Sequence, residues 1–121
     1  MHLHTLTLDL KKNANINDLV ELFKNSTRIR VVRNAEHLRS TAEIMEFARD
    51  MGRLRGDMPE ICVWKEAIGV TSNAYNKLLY IQAVHQESNV IPENIDCIRA
   101  MMGFKDGEKS IEITNKSFGI K

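Results

Sequence analysis

The chain has 121 residues, of which 43% are hydrophobic and 27% are charged, and its formal net charge is +1 at pH 7. This length favours a single domain that buries a core without disulfides or metals, and the composition is typical of a soluble globular protein. Neither the charge nor any apolar run indicates a nucleic acid partner or a membrane partner.

The chain begins with a predicted strand followed by a predicted helix. Residues 2–10 alternate strictly, which predicts a strand whose buried face carries His2 and His4 together with three leucines. Residues 16–24 then place apolar side chains at helical spacing, and Asn15 is suited to cap that helix.

A second strand is predicted at residues 29–32 and a second helix over residues 41–51. Ser40 and Glu43 form a capping-box pattern at the start of this helix, and Gly52 is suited to end it. The change of period between the two segments separates strand from helix.

Two more strands and two more helices complete the chain. Residues 60–70 and 78–85 are rich in β-forming side chains and predict a hairpin, with turn residues at 71–77. Pro92 favours the first turn of a helix that ends at Gly103, and its inward residues are predicted to be Ile95, Ile98 and Met102.

Residues 107–118 predict a last short helix. The order of elements predicts an α+β fold: a mixed or antiparallel sheet with helices packed on one face.

His2 and His4 are the first candidates for chemistry, because residues two apart on a strand project to the same face. A histidine at the mouth of a buried face is suited to act as a general base. The same spacing suits a metal site, with His85 and Glu87 as further ligands. Ordinary hydrogen bonding at a strand end is the third interpretation, and the pattern leaves all three open.

Gln82 lies inside a predicted strand, in phase with Leu78 and Tyr80. A buried glutamine needs partners for both ends of its amide, and either a nicotinamide carboxamide or neighbouring backbone would supply them. Gln86 shares the same phase and is the second candidate for this contact.

Three arginines and two cysteines complete the candidates. Arginines in the run at 49–57 suit phosphate binding, but the alternating charges favour a network of salt bridges formed by Arg49, Arg53 and Arg55 with Asp50 and Asp57.

Cys62 and Cys97 have no nearby histidine in sequence and are predicted to be core thiols in a reducing cytoplasm. The sequence contains no glycine-rich nucleotide-binding motif.

Six segments resemble archaeal-type glyceraldehyde-3-phosphate dehydrogenase, in order and across the whole chain. They are MHLHT at 1–5, STAEIMEFARDMGRLRGD at 40–57, VWKEAI at 63–68, QAVHQES at 82–88, IPENIDCIRAMM at 91–102 and TNKSFGI at 114–120.

The resemblance implies the C-terminal portion of the catalytic domain over residues 1–121, with the Rossmann domain that binds NAD or NADP outside the chain. The parent enzyme would be a cytoplasmic homotetramer of glycolysis or gluconeogenesis that oxidises glyceraldehyde 3-phosphate with phosphate. By the same resemblance the general base is His4 or His2, with His4 favoured, and Gln82 lies near the nicotinamide, with Gln86 second.

The catalytic cysteine of that family is expected to lie outside this chain, and Met1 is expected to be an internal methionine of a longer protein. The fragment alone is therefore expected to be inactive. Two alternatives from other classes are a free-standing binding module without catalysis and a small metal-binding protein that uses His2, His4 and His85.

Overall fold

The structure is a computed structural model and describes residues 1–71 and 76–120. Within these residues five strands form one sheet, in the order β1-β5-β3-β2, with β4 also paired to β5. β2 and β3 run parallel, and the other pairs are antiparallel. The strands are β1 (His2–Asp9), β2 (Ile29–Val32), β3 (Ile61–Trp64), β4 (Gly69–Val70) and β5 (Lys77–Val84).

Four helices lie in the same described part of the chain: α1 (Ile16–Asn25), α2 (Thr41–Asp50), α3 (Gln86–Met101) and α4 (Gly107–Phe118). The predicted caps are present, since Asn15 accepts a hydrogen bond from the backbone N–H of Asn17 at 2.8 Å and Ser40 accepts one from Glu43 at 3.2 Å. None of these helices is both long enough and apolar enough to span a bilayer.

The α+β class with a mixed sheet is confirmed. The central residues of the predicted turn at 71–77 lie outside the described residues, while the strands on either side pair antiparallel, as a hairpin requires. The single strand predicted at 60–70 is divided into β3 and β4, because a 3₁₀ turn (Lys65–Ala67) interrupts it.

The helices contact both faces of the sheet, which differs from the predicted packing on one face. On one face Ile44 and Ala48 of α2 pack against Cys62. On the other, Val20 of α1 packs against Val63. Neighbouring residues of a strand point to opposite faces, so Cys62 and Val63 place α1 and α2 on opposite sides.

A buried polar cluster joins α3 and α4 to the sheet, and Arg28, directly before β2, lies at its centre. The Arg28 side chain is 7% exposed and donates to Asn115 at 2.8 Å, Glu93 at 2.7 Å and Asp96 at 2.5 Å. The backbone of Arg28 is left-handed, with φ of 61°, a conformation that non-glycine residues rarely adopt.

Asp96 is the main acceptor of this cluster. Besides Arg28, it accepts hydrogen bonds from Arg99 at 2.9 Å, Ser110 at 2.6 Å and Thr114 at 2.7 Å. Burial by itself would raise the pKa of Asp96, but the hydrogen bonds from Ser110, Thr114 and Arg28 outweigh it and lower the pKa to about 2. The carboxylate is therefore ionised in the folded chain at every ordinary pH.

The polar cluster explains why three predictions about α3 are wrong. The inward face of this helix carries Asp96 and Arg99, so Ile98 and Met102 point outward, with 60% and 83% of their surfaces exposed. Cys97, predicted to be a core thiol, is exposed as well.

Pro92 was expected in the first turn, but it lies inside α3, because the helix begins six residues earlier at Gln86. Its ring is buried, and its place in the helix leaves the carbonyl of Ser88 without the usual helical donor.

Replacing Asp96 with Asn is expected to reduce the free energy of unfolding by about 2 kcal/mol at pH 7. The folded pKa lies below the unfolded value, so this contribution is present above about pH 4 and is lost as the pH falls towards 2. Urea unfolding of both proteins at pH 7 and at pH 2.5 measures it. Glu112→Gln, which removes an exposed carboxylate of α4, is the control. If the free energies of unfolding of Asp96→Asn and of the original chain differed by the same amount at both pH values, the lowered pKa of Asp96 would be contradicted.

Candidate functional site

The structure brings His4 and Gln82 together across neighbouring strands. Antiparallel pairing of β1 with β5 sets His4 opposite Gln82 and His2 opposite Val84. Gln82 Nε2 lies 3.4 Å from His4 Nδ1, so the amide donates to that nitrogen when it carries no proton. Side chains of directly opposed residues lie on the same face, and two candidates separated by 78 residues in sequence therefore form one site.

The His2 and His4 rings are neighbours on this face, with centroids 6.4 Å apart. Both side chains are exposed, as is Leu8 further along the strand, while Leu6 and Leu10 are half-buried. The predicted burial of this face is therefore wrong for His2, His4 and Leu8. The reason is the position of α1, whose apolar residues cover the far end of the face near Leu10 and Leu78. The histidine end of the sheet is consequently open to solvent.

The two glutamines differ in position. Gln82 is half-buried in β5, whereas Gln86 is the exposed first residue of α3 and does not continue the phase of the strand. The strand ends at Val84 and His85 caps the helix, which is why the period changes before Gln86. Among the described residues Gln86 makes no hydrogen bond with His2, His4 or Gln82.

His85 lies in a different environment from the other two histidines. Its ring is buried, Nδ1 accepts a hydrogen bond from the backbone N–H of Met58 at 3.2 Å, and Nε2 lies 3.2 Å from a carboxylate oxygen of Glu87. Within residues 1–71 and 76–120, no group of three or more His, Cys, Asp or Glu side chains has the geometry to hold a metal. The alternative of a metal site built from His2, His4 and His85 is therefore not supported.

The arginines at 49–57 form separate ion pairs. Arg53 binds both carboxylate oxygens of Glu60, at 2.5 and 2.6 Å, in a largely buried pair. Arg55 pairs with Asp57 at 3.0 Å, and Arg49 pairs with Glu46. The prediction of salt bridges is confirmed, but they are separate pairs instead of a network, and Glu46 and Glu60 take the place of Asp50.

The two thiols differ in reactivity on physical grounds. Cys62 is fully buried in the core, as predicted, and burial followed by the nearby charge of Glu60 raises its pKa to about 12. A thiol with such a pKa is not a nucleophile at neutral pH. Cys97 lies on the exposed side of α3 and makes no hydrogen bond with any described residue.

A cavity in the described part of the chain lies away from His4 and Gln82, and sequence patterns gave no indication of it. Its volume is about 670 Å³. The loop after α2, the start of α3 and the end of α4 form its walls, where the polar or charged lining residues are Arg30, Arg53, Asp57, Ser88 and Ser117. Residues from four distant parts of the chain meet here, since Arg30 is contributed by β2, which explains why periodicity does not predict the cavity.

No protein-family model matches the chain, but curated relatives do, and they are archaeal dehydrogenases. Over 99% of its length the chain is 49% identical to glyceraldehyde-3-phosphate dehydrogenase of Pyrococcus abyssi, 51% identical to glyceraldehyde-3-phosphate dehydrogenase 1 of Methanosarcina barkeri and 48% identical to that of Thermococcus onnurineus.

The chain spans 34 to 35% of the length of these relatives. It is homologous to the C-terminal region of archaeal glyceraldehyde-3-phosphate dehydrogenases, which confirms the resemblance seen in the sequence.

A thiol reagent such as Ellman's reagent is expected to modify Cys97 in the native chain and to leave Cys62 unmodified until the chain unfolds. Burial and the raised pKa of Cys62 should make its reaction roughly 100-fold slower or more. Counting released chromophore with and without urea measures both thiols. The Cys97→Ser variant is the matched control and should show no fast reaction; two fast thiols in the native chain would contradict the described burial.

Proposed function

We propose that residues 1–121 supply the C-terminal portion of the catalytic domain of an NAD- or NADP-dependent, phosphorylating glyceraldehyde-3-phosphate dehydrogenase. The observation that carries this proposal is the identity of about half of the residues with enzymes of that name over nearly the whole chain. Glyceraldehyde 3-phosphate and phosphate would be the substrates of the parent enzyme, and NAD or NADP would accept the hydride.

His4 is proposed as the general base, with His2 as its neighbour on the same face. Support comes from the contact with Gln82. For His4 to accept a proton at Nε2, its Nδ1 carries one, and an acceptor such as a carbonyl oxygen suits the position facing Nδ1. A half-turn of the Gln82 side-chain amide exchanges its nitrogen for its oxygen at that position and meets this requirement.

Gln82 is also the residue that fits the nicotinamide. Its side chain is half-buried, and its contact with His4 is the one that its amide makes among the described residues. Once the oxygen faces His4, the NH₂ group is available to an acceptor such as the carboxamide oxygen of a nicotinamide. Gln86 is proposed as a second, more peripheral contact, since it begins α3 just after β5.

The nucleophilic thiol and the Rossmann domain are proposed to lie in the part of the parent enzyme outside this chain. The chemistry of Cys62 supports this, because its raised pKa keeps the thiol protonated. The chain alone is accordingly proposed to be inactive. The parent is proposed to be a cytoplasmic homo-oligomer, and the exposed apolar side chains of α3, such as Ile98 and Met101, favour contact with further protein.

A chimera tests this function. The segment of a relative such as the Pyrococcus abyssi enzyme that corresponds to this chain is replaced with residues 1–121. The chimera is expected to reduce NAD or NADP with glyceraldehyde 3-phosphate and phosphate, while the separate chain shows no activity. A folded but inactive chimera, or an active separate chain, would contradict the proposal.

In the active chimera, His4→Ala is expected to lower kcat by about 100-fold or more, the usual loss when a general base is removed. His2→Ala is the matched control on the same strand face and should have the smaller effect. Steady-state rates between pH 5 and 9 measure both variants. Equal activity of His4→Ala and the unmodified chimera would exclude His4 as the base.

A further inference from the structure

We propose that the cavity between the loop after α2 and the ends of α3 and α4 is a binding site for a small carboxylate carried on an apolar body. This site goes beyond the proposed dehydrogenase function, because neither His4 nor Gln82 lines it. It would exist whether or not the parent enzyme is a dehydrogenase.

The size and walls of the cavity suit a small organic ligand. Its volume of about 670 Å³ lies within the range of about 300–1,000 Å³ that is usual for such sites. The apolar part of the wall is formed by Met51, Leu54, Pro59, Ile91 and Phe118. An apolar body would be in contact with this wall and would displace water from it.

Arg30 provides the group that would recognise the carboxylate. Its guanidinium lies over the Phe47 ring, 5.1 Å from the ring centroid, and one nitrogen lies 3.9 Å from the Met51 sulfur. These contacts orient the planar group but give its N–H donors no oxygen acceptor. Within the described part of the chain, Arg30 forms no ion pair with a carboxylate, and a carboxylate in the cavity would accept two parallel hydrogen bonds from it.

The other charged residues of the lining already have partners of opposite charge. The net charge that a ligand must balance is therefore that of Arg30. Arg53 is neutralised by Glu60, and Asp57 is paired with Arg55. Arg30 is the remaining positive charge among the lining residues, so a ligand with one negative charge balances the site. A phosphate dianion would leave one charge without a partner in a partly apolar cavity.

Sodium octanoate is the probe, and the 121-residue chain is observed by two-dimensional ¹H–¹⁵N NMR. Octanoate is expected to shift the amide signals of Met51, Leu54, Ser88 and Gly119 in a saturable manner. Octan-1-ol and inorganic phosphate, which each lack one half of the recognised chemistry, are expected to bind at least about tenfold more weakly. Equal binding of either compound would overturn the proposal.

Arg30→Gln is expected to weaken octanoate binding by about tenfold or more, because it removes the charge-assisted hydrogen bonds. Arg33→Gln makes the same change outside this cavity lining, where Arg33 pairs with Glu36, and should leave binding unchanged.

Leu54→Ala, at a lining residue that is 83% exposed, tests the apolar wall without disturbing the core and is expected to weaken binding as well. The proposal would be overturned if octanoate shifted the amide signals of the exposed side of α3 instead, or if the same shifts persisted unchanged in Arg30→Gln.

Discussion

The contact between Arg28 and Asp96 fixes the position of the last two helices on the sheet. Arg28 lies at the start of β2, Asp96 lies on the inner face of α3, and Ser110 and Thr114 of α4 donate to the same carboxylate. Removing Asp96 would leave the buried Arg28 paired with the exposed Glu93, which is destabilising because much of its compensation is lost. These contacts join α3 and α4 to the start of β2, and at the end of α4 Arg53 donates to the carbonyl oxygen of Gly119 at 3.3 Å.

β5 fixes the position of the residues in the site formed by His4 and Gln82. It pairs with β1 along its whole length on one side and with β3 and β4 on the other. Gln82 is thus held between His4 and Val63 by backbone pairing on both sides. Because α1 covers one end of this face, the support for the site is rigid while its surface is open, an arrangement suited to meeting another domain or a ligand.

Periodicity predicted most elements closely, including the strand at 29–32 and the helix at 107–118. It failed where the partner of a face is not apolar: the inner face of α3 is polar, so the exposed side of Ile98 and Met102 was mistaken for the core side. The burial of His2 and His4 depends on how far α1 extends over the sheet, which local spacing does not contain.

The candidate site was predictable in its members but not in its geometry. His4 and Gln82 were each identified from their segments and from the family resemblance, yet their contact depends on the register of β1 on β5. The sequence did not identify Arg30 as a candidate binding residue, because an arginine inside a short strand looks like an ordinary surface residue until its neighbours are known. The cavity likewise depends on four segments that meet only in the fold.

β1 is an edge strand of the sheet as described, since its one partner is β5. Its outer backbone N–H and C=O groups are thus available for another strand to pair with. A segment that added there would lie directly beside His4 and would alter the surroundings of its ring without any change in sequence. Strand addition at this edge would then change the environment of the proposed general base.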